Sequence, residues 1–394
     1  MQTHDLIIIG GGVSGLVLAS RAAAGGLSTL VLEREERLGG CLRSWHGGGD
    51  FWLELGAHTA YNSYKSLLEV LQAQGRLGDL APRAGMGYHF LEGGRVQSPL
   101  ARLNFLELFA HLPLALGRKQ AGASLAEYYG ALFGKGNYAR MLSPAFAAVL
   151  SQPADAFPAA WLFRRKARLK AAPRKYTWPG GLQGVAEALA EGAPFRVRRG
   201  AEVTGLARDR AGYLVRIGEE SLAAARLALA TPPDEAARLL SGLDGETTGM
   251  LAGIPMADIE SLAVVLPAAR ARLKPLAGLI GVDEPFYSMV SRDPVSHPTL
   301  RGFTFHFRPG RLDRAGKLAC AARVLGAEEG DFLHVAEAAN RLPALDTRHP
   351  PLAEALDRRL AGGRLALAGN YFNGLSIGDC ADRAAREAAR LIST

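Results

Sequence analysis

The sequence predicts an α/β chain: a parallel sheet assembled from separated stretches, a second domain built on a mixed sheet, and a helical insertion. Three observations predict it. Residues 6–16 read LIIIGGGVSGL, an apolar run broken by glycines, and a second apolar run follows at Ser28–Leu32. The same spelling, RLALA, recurs at Arg226–Ala230 and Arg364–Ala368, each time as a buried strand entering a turn. Between these, Tyr61–Tyr176 turns strongly helical, whereas about Pro255–Pro350 alternates strand-like runs with helices.

The first strand is expected at His4–Gly10, where Leu6, Ile7, Ile8 and Ile9 form a continuous β-rich run. Val13, Leu16, Val17, Ala19 and Ala23 then recur at helical spacing up to Gly25-Gly26, and the second strand ends at Glu33. This strand–helix–strand context makes G-x-G-x-x-G a Rossmann-like dinucleotide site. Gly10 makes the tight turn, Gly12 lets a pyrophosphate approach the backbone, and Gly15 lets helix and strand pack closely. Val13, Ser14 and Gly15 open the helix, whose amides and dipole favour phosphate. Glu33 is placed to accept hydrogen bonds from a ribose and disfavours an added phosphate there.

The next segment, Glu33–Ser44 (EREERLGGCLRS), resembles the stretch that follows the second strand in flavoproteins of the amine oxidase and protoporphyrinogen oxidase superfamily. By that resemblance Gly39 and Gly40 pass close to the flavin's ribityl and pyrophosphate, and Arg34, Arg37 or Arg43 neutralises phosphate charge. Cys41 stands where many relatives carry arginine. Gly56, Ala57 and His58, in ELGAH, resemble the segment that passes the isoalloxazine. The implied cofactor is FAD.

The same resemblance implies two returns to the first domain. In the first, WPGGLQGVAEALA (Trp178–Ala190) is similar to the family's turn and helix, with strands at Phe195–Val197 and Ala201–Leu206. Val203 falls where a backbone meets the adenine, and Thr231-Pro232-Pro233 matches the turn below the flavin. In the second, Gly369, Asn370, Leu375, Ser376 and Ile377 lead into a final helix and are assigned to the cofactor. The expected division is 1–60, 178–235 and 360–394 for the FAD domain, 61–100 and 236–359 for the substrate domain, and 101–177 for the helical insertion.

Three stretches narrow the likeness: SLAEYYGALFG with LSP (Ser124–Gly134, Leu142–Pro144), GRVQSPL (Gly94–Leu100), and GNYFNGLSIGDC (Gly369–Cys380). They resemble protoporphyrinogen oxidases, enzymes of haem biosynthesis. The implied activity is hydride transfer from a bulky lipophilic small molecule to flavin N5, with protoporphyrinogen IX as substrate and dioxygen or another compound as acceptor. A flavin amine oxidase, a carotenoid-type desaturase, or a non-redox flavoprotein related to the sugar mutases are the alternatives on the same fold. The flavin is the redox centre, so no side-chain base is obligatory. His58 is the side-chain candidate beside it. Arg95, Arg292, Arg301 and Arg308 are candidate grips for a propionate, with a solvated surface charge as the competing reading. His306 alternates with Phe303, Phe305 and Phe307 and reads as a structural histidine facing away from them. Lys274 and Lys317 fall in the region where amine oxidases use a lysine, but neither sits in a motif.

Composition bounds the rest. With 394 residues, 48% hydrophobic and 21% charged, the chain supports two or more folded domains. Cys41, Cys320 and Cys380 lie far apart with no C-x-x-C pair, a usage that fits a reducing cytoplasm and suggests neither disulfides nor a metal. The net charge of +8 is mainly arginine and lacks the dense basic–aromatic patch of a nucleic-acid module. The apolar start carries Asp5 and three glycines and lacks a basic leader, unlike a signal peptide. Asn104–Leu116, followed by Arg118 and Lys119, is too short to span a bilayer. It reads either as an amphipathic helix docking on the inner face of a membrane, through 104–119, or as a core helix. Oligomeric state is left open.

Overall fold

Continuous apolar runs explain the first sheet. A computed structural model of the chain describes residues 3–47, 49–111, 113 and 117–394. The strand Thr3–Ile9 lies at the middle of a seven-stranded sheet, parallel to Thr29–Leu32 on one side and to Glu220–Leu229 on the other. Arg196–Arg198 extends it beyond Thr29–Leu32, and Leu365–Leu367 pairs in parallel with Glu220–Leu229. Tyr213–Ile217 and Gly205–Arg208 add an antiparallel edge. Leu6 and Ile8 face a core shared with the helices Val13–Ala24 and Ile377–Ser393, while Ile7 and Ile9 face the opposite core. Burial on both faces is why the run is continuously apolar.

The opposite core is closed by the helices Pro233–Leu240, Gly245–Ala252 and His349–Leu360, through Leu239, Leu251 and Leu356. After the strands Tyr88–Glu92 and Arg95–Gln97, the chain returns to the second sheet only at Met256 and leaves it at Pro343. The strand expected at Ala201–Leu206 is also displaced. Ala201 N donates to Glu33 O (2.8 Å), so the chain turns to cap the second strand, and a strand begins only at Gly205.

The second sheet has seven strands in the order 334–343, 256–267, 300–307, 286–291, 278–281, 88–92, 95–97. Gly278–Gly281 and Tyr88–Glu92 run parallel and the other pairs antiparallel, which makes the sheet mixed. Strand parity divides its faces. Leu262, Val264, Phe303, Phe305 and Phe307 pack with Cys320, Ala321 and Leu325 of the helix Arg314–Leu325. Ala263, Val265 and Ala338, on the other face, pack against Phe51, Leu53 and Leu55. A side chain at Gly302 would meet Leu53 Cδ2 at 2.3 Å, so glycine is required for this contact.

In the helical insertion, Leu125–Phe133 is closed by a capping box between Ser124 and Glu127. The helix Phe105–His111 has no buried residue, and Phe105, Leu106 and Phe109 are 49%, 83% and 63% exposed. For these residues the core-helix reading is overturned. Residues 112 and 114–116 of the predicted segment lie outside the described residues. Among the described residues no helix is long and apolar enough to cross a membrane.

Candidate active site

The N-terminal loop is shaped by backbone. Gly10 adopts φ +109°, and a Cβ there would meet Ala230 O at 2.6 Å. A Cβ on Gly15 would approach Gly10 O at 1.9 Å, so helix and loop touch without side chains. Gly12 behaves differently: its Cβ would meet nothing nearer than Gly39 O at 3.9 Å and Gly40 Cα at 4.0 Å. A slot lined by main chain thus separates two glycine loops, which are joined at the side by Gly39 N donating to Gly11 O (2.9 Å). The helix Val13–Ala24 has no side-chain cap and no acidic residue in its first turn, leaving its leading amides for an anion. Val13, Ser14 and Gly15 are buried in that turn.

Glu33 holds this loop. Its carboxylate accepts from Gly11 N (2.7 Å) and Glu35 N (2.9 Å). Val203 is buried nearby, and its carbonyl accepts from Arg238 (3.1 Å). Arg37 donates to the carbonyls of Gly40 and Leu42 and pairs with Glu35 (2.8 Å), so it braces the second glycine loop and is not free for phosphate. Arg34 is exposed and Arg43 half-buried.

The loop Gly39–Arg43 lies along Leu55–Ala57. Leu55 N donates to Arg43 O (2.7 Å) and Ala57 N to Cys41 O (3.2 Å), and a Cβ on Gly56 would meet Cys41 O at 2.1 Å. Cys41 is exposed. Glu54, just before this segment, is buried and accepts from Ser44 Oγ (2.6 Å) and Leu182 N (2.7 Å). Burial pushes its carboxyl up to about 7, against the lowering effect of those hydrogen bonds.

At the far side, Thr231 follows Ala230, whose N donates to Ile9 O (2.8 Å), and Thr231 Oγ1 is buried with no partner among the described residues. Gly369 and Asn370 follow the strand Leu365–Leu367 and are half-buried. Leu375 precedes Ser376, which caps the helix beginning at Ile377 through a capping box with Asp379. The amide of Asp379 is therefore taken by Ser376 Oγ (3.1 Å), leaving those of Ile377 and Gly378 at the helix end. Asp379 is itself held by Arg164 (2.5 Å) and Lys166 (2.8 Å).

Opposite the glycine loops, His58 meets the inner face of the second sheet. Its Nε2 lies 3.1 Å from Tyr88 Oη, and its ring stacks on His306 with centroids 6.4 Å apart. His306 Nδ1 bonds Ser261 Oγ (3.0 Å), and Asn340 donates to Leu55 O (3.0 Å). His306 thus faces away from the neighbouring phenylalanines, as the strand alternation predicts. Burial lowers His58 to about 3, with His306 and Arg83 adding to the effect, and lowers His306 to about 4. Both rings are neutral over the ordinary pH range. Tyr88, pushed up to about 12 by burial, keeps its proton.

The arginines named as propionate grips are committed elsewhere or lie on the surface. Arg301 makes a two-point ion pair with Asp293 (2.9 and 2.6 Å). Arg292 donates to Val295 O and lies over Phe51 and Trp52; Arg308 lies over Tyr287; Arg95 is exposed. Tyr88, Ser261, Asn340 and Arg83 are the residues sequence reasoning missed. They sit on strands or a connecting loop with no motif, and only strand parity, which places Ser261 on the face of its neighbour His306, signals any of them.

A backbone-lined slot at an uncapped helix, a carboxylate at the end of the second strand, an unpartnered Thr231 hydroxyl and a second glycine loop fit FAD. They define a flavin-dependent oxidoreductase. Residues 13–264 match the family described as "Flavin containing amine oxidoreductase", and the chain belongs to that family. Its fold is similar to that of a protein from Exiguobacterium sp. 255-15 provisionally named a protoporphyrinogen oxidase (TM-score 0.81, 16% identity, covering 100% of this chain and 99% of that one). It is also similar to putrescine oxidase bound to putrescine (0.73, 18%, 100% and 99%) and to cyclohexylamine oxidase from Brevibacterium oxydans IH-35A (0.72, 16%, 99% and 99%). At these identities the likeness is one of fold.

Proposed function

We propose that this flavoprotein oxidises a bulky, lipophilic, readily dehydrogenated small molecule, with protoporphyrinogen IX as the substrate it fits best. FAD, when bound, supplies the hydride acceptor. Gly10, Gly12, Gly15, Glu33, Gly39 and Gly40 would hold its dinucleotide part, and Gly56, Ala57 and His58 would border its ring. The observation that carries the reading is a floor without a base opposite the glycine loops: His58 bonds Tyr88 and stacks on His306, both rings are uncharged, and Tyr88 keeps its proton. Such a floor orients a substrate and excludes water but offers no strong base. A porphyrinogen needs none, because repeated two-electron oxidations aromatise the macrocycle and supply the driving force. Lys317 pairs with Glu260 (2.5 Å) against the helix-covered side of the second sheet, away from His58, so it does not serve this floor.

The test mixes yellow holoprotein with protoporphyrinogen IX and follows porphyrin fluorescence against an enzyme-free control, with dioxygen and then a quinone as acceptor. Acceleration is expected. No acceleration with either acceptor, flavin intact, overturns the reading; bleaching by an amine or a carotenoid instead replaces it.

A lipophilic substrate also gives a use to the exposed Leu100, Phe105, Leu106 and Phe109. They make a surface suited to shallow insertion among phospholipids on the inner face of a membrane. Flotation with phosphatidylglycerol vesicles is expected to carry the wild type and to lose Leu106→Asp/Phe109→Asp, while flavin content is unchanged.

A further inference from the structure

Arg83 lies at the seam between the two large sheets. Its amide donates to Lys175 O (3.1 Å), in the small sheet that pairs Lys175–Thr177 with Ala60–Tyr61 just after His58. The next amide, Ala84 N, donates to Pro294 O (2.9 Å) beside the second sheet, and Tyr88 then opens the strand whose hydroxyl meets His58. Anchored on both sides, the segment holds Arg83 beside the His58–Tyr88 pair. Its charge is felt by His58, Tyr88, Tyr61 and Glu54.

Arg83 is half-buried, yet among the described residues its side chain makes no hydrogen bond, ion pair or ring contact. Three other inward-facing arginines, by contrast, are paired with carboxylates. Arg102 pairs with Glu92 (2.5 Å), Arg301 with Asp293 (2.6 Å), and Arg383 with Asp357 and Glu387. Glu54 is not a substitute partner, because its oxygens are taken by Ser44 and Leu182. Guanidinium carries five donors in a planar fork that matches a carboxylate, and partial burial without a partner is unfavourable. Its nitrogens are also reachable, since none is sealed from solvent.

We infer that Arg83 anchors a carboxylate of the substrate and makes the site beside His58 selective for anionic, carboxylate-bearing molecules over their neutral esters and over cations. The inference rests on the reading that substrate enters beside His58, and it names a specificity residue for that site.

The experiment uses holoprotein and follows perturbation of the bound flavin's visible spectrum on titration with two acid–ester pairs: protoporphyrin IX with its dimethyl ester, and decanoate with methyl decanoate. Wild type is expected to bind at least one acid about tenfold or more tighter than its ester, the scale of a charge-assisted hydrogen bond. Arg83→Met is expected to bring acid and ester within about twofold, and Arg83→Lys to restore part of the preference, with KM and not kcat carrying the change for any substrate turned over. Selectivity for decanoate alone keeps Arg83 as the anchor and removes the porphyrin. Equal binding of acid and ester by wild type, or an undiminished preference in yellow Arg83→Met, overturns the inference and leaves the oxidase reading standing. If Arg83→Met does not fold, the wild-type comparison and Arg83→Lys still decide.

Discussion

The two sides of the candidate site are built from different materials. The cofactor side is main chain: Gly10, Gly12, Gly39, Gly40 and Gly56 leave room that any Cβ would fill or strain. The side proposed for substrate is side chain: His58, Tyr88, His306, Ser261 and Asn340 meet across one sheet face. A backbone cradle tolerates almost no substitution and so keeps a short, recurring spelling. A side-chain floor is free to change with the molecule it serves.

The sharpest way to break this contrast lies within the first loop. Gly15→Ala places a methyl 1.9 Å from Gly10 O. It is expected to cost about 4 kcal/mol or more, read as a collapse of the urea midpoint. Gly12→Val, facing open space, is expected to fold with a near-normal midpoint and lose its yellow colour. If both variants fold and stay yellow, the slot does not hold a pyrophosphate.

Next comes Arg301, read from the sequence as a candidate grip and found in a buried ion pair with Asp293. Arg301→Met leaves buried Asp293 without its partner and is expected to destabilise by about 3 kcal/mol with KM unchanged. A raised KM in a protein of normal stability would move Arg301 to the substrate side.

Glu54 sharpens the seam. Its carboxyl titrates near 7 in the fold, above its ordinary 4.5, so between those values the folded state holds more proton than the unfolded one. Stability from this group is therefore full below about pH 4.5 and lost as pH rises through about 7. Glu54→Gln is expected to remove that slope, gaining on the order of 2 kcal/mol relative to wild type at pH 8 compared with pH 5 in thermal melts of holoprotein. An unchanged slope would mean the carboxyl ionises freely.

The smallest effect is on the floor. Tyr88→Phe removes one neutral hydrogen bond to His58 and is expected to lower kcat/KM about threefold. Because His58 and His306 titrate near 3 and 4, neither contributes a limb between pH 5.5 and 8.5. The stability from keeping them neutral is present above their unfolded value of 6.5 and is lost as pH falls toward 4. A limb near 6 that vanishes in His58→Gln would show a charged ring at work.

This difference in materials also explains what was legible in the sequence. The βαβ glycines, Glu33 and the GGC loop are contiguous and chemically constrained, so the cofactor side could be read directly. His306 was readable because alternation with three phenylalanines fixes which way it points. Arg83 and Tyr88 were not, because their roles depend on which loop lies opposite, a relation set by contacts such as Arg83 with Lys175 and Ala84 with Pro294. The cover of each sheet was illegible for a related reason. The helices Gly245–Ala252 and His349–Leu360 carry no mark of which sheet they cover until Leu251 and Leu356 are seen in its core.

The docking of Leu365–Leu367 on Glu220–Leu229 sets an order of events during synthesis. The strand bearing the glycine loop precedes the other strands of its sheet in chain order, yet the sheet is completed by Leu365–Leu367, the last of them. Until then the backbone edge at Leu227–Leu229 lacks its pairing strand, the kind of unpaired edge that is open to wrong pairing during folding. The sheet that carries the glycine loop is therefore complete only when a strand from the far end of chain order is in place.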